Sequence, residues 1–498
     1  MQRARYQWPL FLLPLAAGLH AQTHHAGRLD LTGYTLSTFD GGSHPAELGH
    51  LEVPAHHAGS SRASMRIAFV RLRSTSGKPR APIVFLSGGP GVPGIVMGRI
   101  PIFYQLFERL RRISDVILLD QRGVGLSSPN LDDCHVAYAF PLDALETAPK
   151  LERAYAGTVS ACAQYWRGQG IDLTAYNTNE SADDLEDLRI ALGTGKISLL
   201  GTSYGTELGL VTIRRHPDSV ERAVFQGTQA PESYPLLPST YDVQLRKIAR
   251  LVSLDPQAAK LAPDLVSLLQ TCLEKLGRNP ARIGITRADT KEKVLLSVGQ
   301  AGLQQLAIGA LNGRVSILPA LLRTISEGDF SVLAPLVEIT YNDLTPGLTL
   351  MGRAMDCAAV FSPERIAEVH QEAARSLLDN VRNLHLQPGV CREAIGSFNL
   401  GPEYALPIYS EVPALFLSGT LDTNTPPFTA EKVRWGFPNG VHIVIQNGFH
   451  ETLPAQEVQD AVFDFFNGED VAGRRIVLPP PHFDSIAEAR ANATKPRH

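Results

Sequence analysis

The chain has 498 residues, 44% of them hydrophobic and 19% charged, the profile of an ordinary globular protein with room for one large domain carrying an insertion, or for two to three domains. Its net charge of -4 provides no basic field for nucleic acid or for an anionic membrane surface.

At the N-terminus, Arg3 and Arg5 precede WPLFLLPLAAGLHA, an apolar stretch ending in small residues. This is the pattern of a secretory signal peptide, expected over 1–21 with cleavage after Ala21. Roughly twelve apolar residues interrupted by Pro9 and Pro14 are too few to span a bilayer. No later segment reaches that length, so the mature protein is expected to be soluble and secreted or periplasmic, without stable membrane insertion. No cysteine follows the apolar run to take a lipid anchor.

Residues 48–53 and 63–72 predict strands, the second alternating polar and apolar as a half-buried strand does. PIVFLSGGPG (82–91) is a buried-strand run that breaks into glycines, followed by a helix over 101–112. DVILLDQRGVGLS (115–127) is a second such run, and a long polar segment with two cysteines comes after it. NESADDLEDLRIALG (179–193) predicts an amphipathic helix capped by Ser181 or Asn179, acidic in its first turn and stopped at Gly193. KISLLGTSYGT then reads as strand, turn and helix start, and VERAVFQG (220–227) as another strand.

Short buried strands alternating with helices predict a mostly parallel sheet covered on both faces. The alternation stops near 230. Residues 230–409 carry helical patterns (QLRKIARLV, LVSLLQTCLEKLG, PERIAEVHQEAARSLLDNVRNL), and the sheet pattern resumes with VPALFLSGTLD and GVHIVIQNGFHE. The expected organisation is a core over 29–229 and 410–498, interrupted by a mainly helical cap at 230–409, with a Pro-rich tail after 468 wrapping the surface.

An exported protein meets an oxidising compartment, which gives its five cysteines meaning. Cys134 with Cys162 and Cys357 with Cys391 could close two local loops, although spacing alone leaves the connectivity open. Cys272 lies in a helical apolar pattern and is expected to be a buried free thiol. The absence of a C-x-x-C pair argues against a cysteine metal site, and no metal or organic cofactor is expected. The early histidines (His24, His25, His44, His50, His56, His57) fall on polar segments and read as solvated.

In an open α/β sheet, ligands gather at the carboxyl ends of the strands. Four features fall at such ends. Ser203 sits between Gly201 and Gly205 after ISLL and before a helix, the context of a nucleophile on a sharp turn. SGGPG (87–91) offers the Gly89 N–H as an oxyanion donor, with the Tyr204 N–H as the second, whereas Pro90 has no N–H to give. Asp422 ends a buried strand, where a carboxylate can orient a histidine, and His450 follows the next one.

SGGPG, DQRGVGLSS, GTSYGT, GTLDTNTPP and GFHE, in this order, resemble the motif series of α/β-hydrolase aminopeptidases, the proline iminopeptidase and secreted tripeptidyl aminopeptidase group. GHLEVP, SADDLEDLRIALG and the closing PPPHF resemble the tripeptidyl branch, as do the export signal and the cysteine pairs. The resemblance implies an α/β-hydrolase fold. It implies Ser203 as nucleophile, His450 as general base and then acid, Asp422 as its orienting partner, and Gly89 and Tyr204 as oxyanion donors. It gives Asp120 and Arg122 a bracing role. The chain departs from the family at Ser87, where a histidine is frequent, and at Gln229 and Ala230, where relatives often carry an aspartate before the proline.

The implied activity is release of short N-terminal units, tripeptides or proline and small apolar residues, from peptides with a free amino terminus. A buried α-ammonium group needs a carboxylate partner. Glu232 is the candidate near the nucleophile, while Glu207 is expected to brace its own helix. A carboxylic-ester hydrolase with the same triad is the alternative, and a non-catalytic binding protein of the same fold a more distant one.

Overall fold

Among the described residues, nine strands build one sheet in the order β1-β2-β3-β5-β4-β6-β7-β10-β11. They are β1 (Leu29–Ser37), β2 (Ser43–Pro54), β3 (Ser64–Leu72), β4 (Arg80–Leu86), β5 (Ser114–Asp120), β6 (Ile197–Thr202), β7 (Val220–Gln226), β10 (Ala414–Gly419) and β11 (Gly440–Ile445). The structure is a computed structural model describing residues 27–58, 63–134, 136, 138, 140–344 and 350–494. The expected signal peptide at 1–21 lies outside them.

From β5 to β11 every pair is parallel, while β1, β2 and β3 add an antiparallel edge joined to β5. The central strands read as unbroken apolar runs because both faces are covered. Val84, Leu86, Ile117, Leu119 and Phe416 point into one core, and Ile83, Phe85, Val116, Leu118, Leu415 and Leu417 into the other. Each fully buried phenylalanine or leucine contributes ~1.5–3 kcal/mol of apolar transfer. One face is covered by the helices Pro101–Leu110 and Gln456–Asn467, the other by Thr178–Ala191 and Tyr204–Arg215.

Several local expectations are corrected. The helix expected over 179–193 spans Thr178–Ala191 and is capped by Asn177, whose side chain accepts the Glu180 N–H at 3.1 Å; Asn179 and Ser181 lie inside it. Gly193 does follow its end, with φ 65°. The polar segment after 127 contains a 21-residue helix, Ala148–Gly168, whose Leu151, Ala154, Tyr155, Thr158, Val159 and Ala163 form one buried stripe. PERIAEVHQEAARSLLDNVRNL is not one helix. It stops at Ala373, passes a left-handed Asp379 (φ 53°) and resumes as the 3-10 turn Val381–Leu386.

Between β7 and β10 the chain is mainly helical, but it also holds an antiparallel hairpin of β8 (Ala281–Thr286) and β9 (Lys293–Val298). Helix Ala148–Gly168 joins this layer: Ser160 donates to Glu393 at 2.6 Å, and Arg167 to the Glu393 and Ala394 carbonyls. Disulfides Cys134–Cys162 and Cys357–Cys391 are formed, and Cys272 is free and buried. The second bridge ties helix Leu350–Ala358 to helix Pro388–Ile395. The tail ends in helix Ile486–Ala493, which docks on the same layer through Arg490 and Asp329 at 2.7 Å.

Candidate active site

Ser203 stands between β6 and helix Tyr204–Arg215 with φ 51° and ψ -123°. A non-glycine residue held there carries strain on the order of 1–3 kcal/mol and needs a tight surround. The flanking glycines make the turn possible. A Cβ on Gly201 would come within 2.6 Å of the Gly205 carbonyl, and one on Gly205 within 1.9 Å of the Leu86 carbonyl. The helix can therefore start directly against the end of β4.

Loop 87–92 lies beside Ser203, since a Cβ on Gly88 would sit 2.9 Å from the Ser203 Cβ. Gly89 has φ 112° and a cis bond to Pro90, a backbone that excludes other side chains. Ser87 is fully buried and closes the loop by donating to the Val92 carbonyl. Tyr204 is the first residue of its helix, so its N–H has no acceptor one turn back. Its side chain points away from that role: the hydroxyl meets Thr178 Oγ1 and Met355 Sδ, each at 3.0 Å.

Asp422 and His450 follow β10 and β11. Their loops are laced together by Thr420 N–H to the Ile445 carbonyl (2.9 Å) and Leu421 N–H to the Gly448 carbonyl (2.8 Å). His450 Nδ1 lies 3.0 and 3.1 Å from the two Asp422 oxygens. Asp422 also accepts from Asn424 N–H, Thr425 N–H and Thr425 Oγ1 at 2.8, 2.9 and 2.6 Å. Burial opposes its ionisation, but the His450 charge and these bonds outweigh it and hold the pKa below the ordinary carboxylate value. For His450, burial disfavours the cation, and Asp422 outweighs it to raise the pKa.

Gln226, at the end of β7, joins the two halves. Its carbonyl accepts the Ser203 N–H at 3.0 Å, and its side-chain amide donates to the His450 carbonyl. Gly227, next in sequence, has φ 65°, and a Cβ there would lie 3.2 Å from His450 Cε1. A side chain at 227 would press on the imidazole. Helix Pro238–Leu254 supports the acid loop from the other side, with Gln244 donating to the Asp422 carbonyl at 2.8 Å.

Glu232 lies in the short turn Pro231–Ser233 after β7. Its Oε2 is buried with no hydrogen-bond partner among the described residues, and burial raises its pKa. Glu207 was expected to brace its own helix and instead ties that helix to two other segments: it accepts from Gln229 Nε2 at 2.6 Å and from the Tyr404 hydroxyl, with a pKa pushed up to about 7 by burial. Asp356, in helix Leu350–Ala358, was not singled out from the sequence. It is buried, its pKa is pushed up to about 6 by burial, and its charge acts on both Glu207 and the Tyr204 hydroxyl. Its signal was the stretch AMDCA, an acid beside a bridged cysteine.

The bracing residues behave as expected. Buried Asp120 accepts Ile95 N–H and Leu126 N–H at 2.9 Å each. Arg122 is fully buried, paired with Asp184 at 2.8 and 2.6 Å and donating to the Ala55 and Ala175 carbonyls. The reading of the early histidines as solvated is corrected at His57, whose side chain is 4% exposed. Its Nδ1 meets Glu180 at 2.6 Å and its Nε2 meets Asp187 at 3.1 Å. His57, Glu180 and Asp183 lie close enough to share a cation. Asp183, however, already holds Arg215 and His216, and Arg122 fills the adjoining space as a resident cation.

A strand-end serine at positive φ, a histidine–carboxylate pair after the last two strands, and a parallel sheet with this strand order define one architecture. A family model described as the alpha/beta hydrolase fold matches residues 81–280. The chain has the α/β-hydrolase fold. The chain is 28% identical over 193 residues to the tripeptidyl aminopeptidase of Streptomyces coelicolor, covering 38% of the chain and 36% of the relative. It is 28% identical over 200 residues to the serine protease Hip1 of Mycobacterium tuberculosis, covering 38% and 37%. It is 29% identical over 185 residues to YuaR of Escherichia coli K12, covering 36% and 35%. The matched stretch is little more than a third of each relative's length.

Proposed function

We propose that this protein is an exported serine aminopeptidase that releases short units from the free amino terminus of peptides. The observation that carries the reading is the convergence of Ser203, at φ 51°, with the His450–Asp422 pair on the single residue Gln226. Ser203 Oγ attacks the scissile carbonyl while His450 takes its proton, and Asp422 fixes the imidazole and stabilises its cation. The Gly89 and Tyr204 N–H groups receive the oxyanion, where one donor is worth ~3 kcal/mol. His450 then protonates the departing amine, and water, activated by the same imidazole, frees the acyl group from Ser203.

The layer between β7 and β10 is the proposed cap, residues 230–409, set over the strand ends. Restricting access there favours chain ends over internal bonds. Glu232 supports recognition of an amino terminus, because a buried carboxylate oxygen without a donor is what an α-ammonium group requires. The names of the relatives support peptides as substrates, and the two disulfides support an oxidising compartment. No described helix is long and apolar enough to cross a membrane.

The reading is tested by comparing hydrolysis of aminoacyl and tripeptidyl anilides, with free and with acetylated amino termini, against p-nitrophenyl esters. Turnover of the free-amine anilides, reduced by acetylation, is expected. Ester turnover with no action on any free-amine peptide would reject it in favour of an ester hydrolase.

A further inference from the structure

A cleft of about 670 Å³ opens beside the catalytic pair, and the mechanism above leaves it without a role. Its size falls in the range of small-ligand sites, roughly 300–1,000 Å³. Two of its lining residues, Phe449 and Glu451, are the immediate neighbours of His450. A third, Asn312, meets Thr423 Oγ1 at 3.3 Å, one residue from Asp422. The remaining wall comes from the helical layer and the C-terminal helix, and it sets apolar Leu306, Ile317 and Leu336 beside polar Arg314, Ser316 and Asn492.

The position of the cleft relative to the imidazole matters for the reaction. A general acid must lie within hydrogen-bond reach of the atom it protonates. The departing amine is therefore released on the His450 side of Ser203, and whatever that amine carries extends past the residues flanking the histidine. We infer that this cleft is the leaving-group subsite and that it takes an apolar side chain on the residue immediately after the scissile bond. The inference rests on the serine-hydrolase reading. It assigns helix Gln300–Leu311 a part in specificity that lies outside both the triad and the amino-terminal recognition site.

Gly309 provides a test. It lines the cleft from within that helix, and a Cβ built on it meets nothing within 4 Å. A larger side chain there grows into the cleft, and loss of a mid-helix glycine favours the helix. The acyl-enzyme can be captured by an added amine instead of water. The amine nitrogen bonds to the acyl carbon, its proton passes to His450, the C–Oγ bond breaks, and Ser203 Oγ regains a proton from the imidazole. The ratio of captured to hydrolysed product reports occupancy of the leaving-group side and does not depend on how fast the acyl-enzyme forms.

With a p-nitrophenyl ester as acyl donor, leucinamide should capture the acyl group about tenfold better than glycinamide, the discrimination a small apolar pocket supplies. Gly309→Trp should remove that advantage, while Gly309→Ala keeps it. Equal capture of both amines by the unmodified protein, or an unchanged ratio in Gly309→Trp, would overturn the subsite and leave the serine chemistry standing. Absence of any acyl-enzyme would overturn both.

Discussion

The side-chain amide of Gln226 donates to the main-chain carbonyl of His450, and the carbonyl of Gln226 accepts from the Ser203 N–H. One buried residue at the end of β7 thus sets the spacing between the Ser203 turn and the His450 loop. Replacing it with leucine keeps the strand and the bond to Ser203 but releases the histidine. Gln226→Leu should lower kcat by about ten- to a hundredfold, since small misplacements cost that much, with little change in KM. A drop in Tm without this kcat–KM split would make Gln226 merely structural.

Asp422 raises the His450 pKa above its ordinary value, and a base works only when neutral. The acid limb of the kcat/KM profile should therefore have its midpoint above the ordinary histidine value of 6.5. Asp422→Asn removes the charge while keeping the size. It should lower kcat by about 10⁴-fold and move that midpoint down. Steady-state rates across pH check both shifts.

His57, whose pKa is raised by the same balance of burial and carboxylates, gives a stability prediction. Burial disfavours its charge, but Asp187 and Glu180 outweigh that and raise its pKa from 6.5 to about 9. A raised folded-state pKa stabilises the fold fully below 6.5, and the contribution is lost as pH climbs through about 9. Thermal unfolding should show Tm falling over this window. His57→Gln should start lower and lose less across it. Parallel curves for the two proteins would exclude the linkage.

The proposed amino-terminal recognition predicts a selective defect. Glu232→Gln should raise KM at least about tenfold for free-amine anilides, the loss of a charge-assisted bond, and leave acetylated ester substrates unchanged. Equal effects on both substrate types would remove Glu232 from the site.

The central strands were legible because two-sided burial writes continuous apolar runs, as in PIVFL and VILLD. Edge strand β1 was not, since only Leu36 of its nine residues is buried. Hairpin β8–β9 did carry a signal in ARIGIT, whose Ala281, Ile283 and Ile285 are buried in alternation, but neighbouring helical patterns masked it. The strand-end positions of Ser203, Asp422 and His450 were legible because each follows a recognisable strand. Gln226 could not be found, because its role depends on contacts between segments far apart in the chain, and Asp356 carried only the faint signal of an acid beside a cysteine. His57 was misread for a related reason: its partners Glu180 and Asp187 come from a helix more than a hundred residues later.

The most direct test of the account is intact-mass and peptide-mapping analysis after treatment with a fluorophosphonate. The account predicts a single adduct on Ser203 that abolishes hydrolysis, no adduct in Ser203→Ala, and much slower labelling in His450→Gln. Full hydrolytic activity in Ser203→Ala, or complete inactivation with the label on another residue, would contradict it.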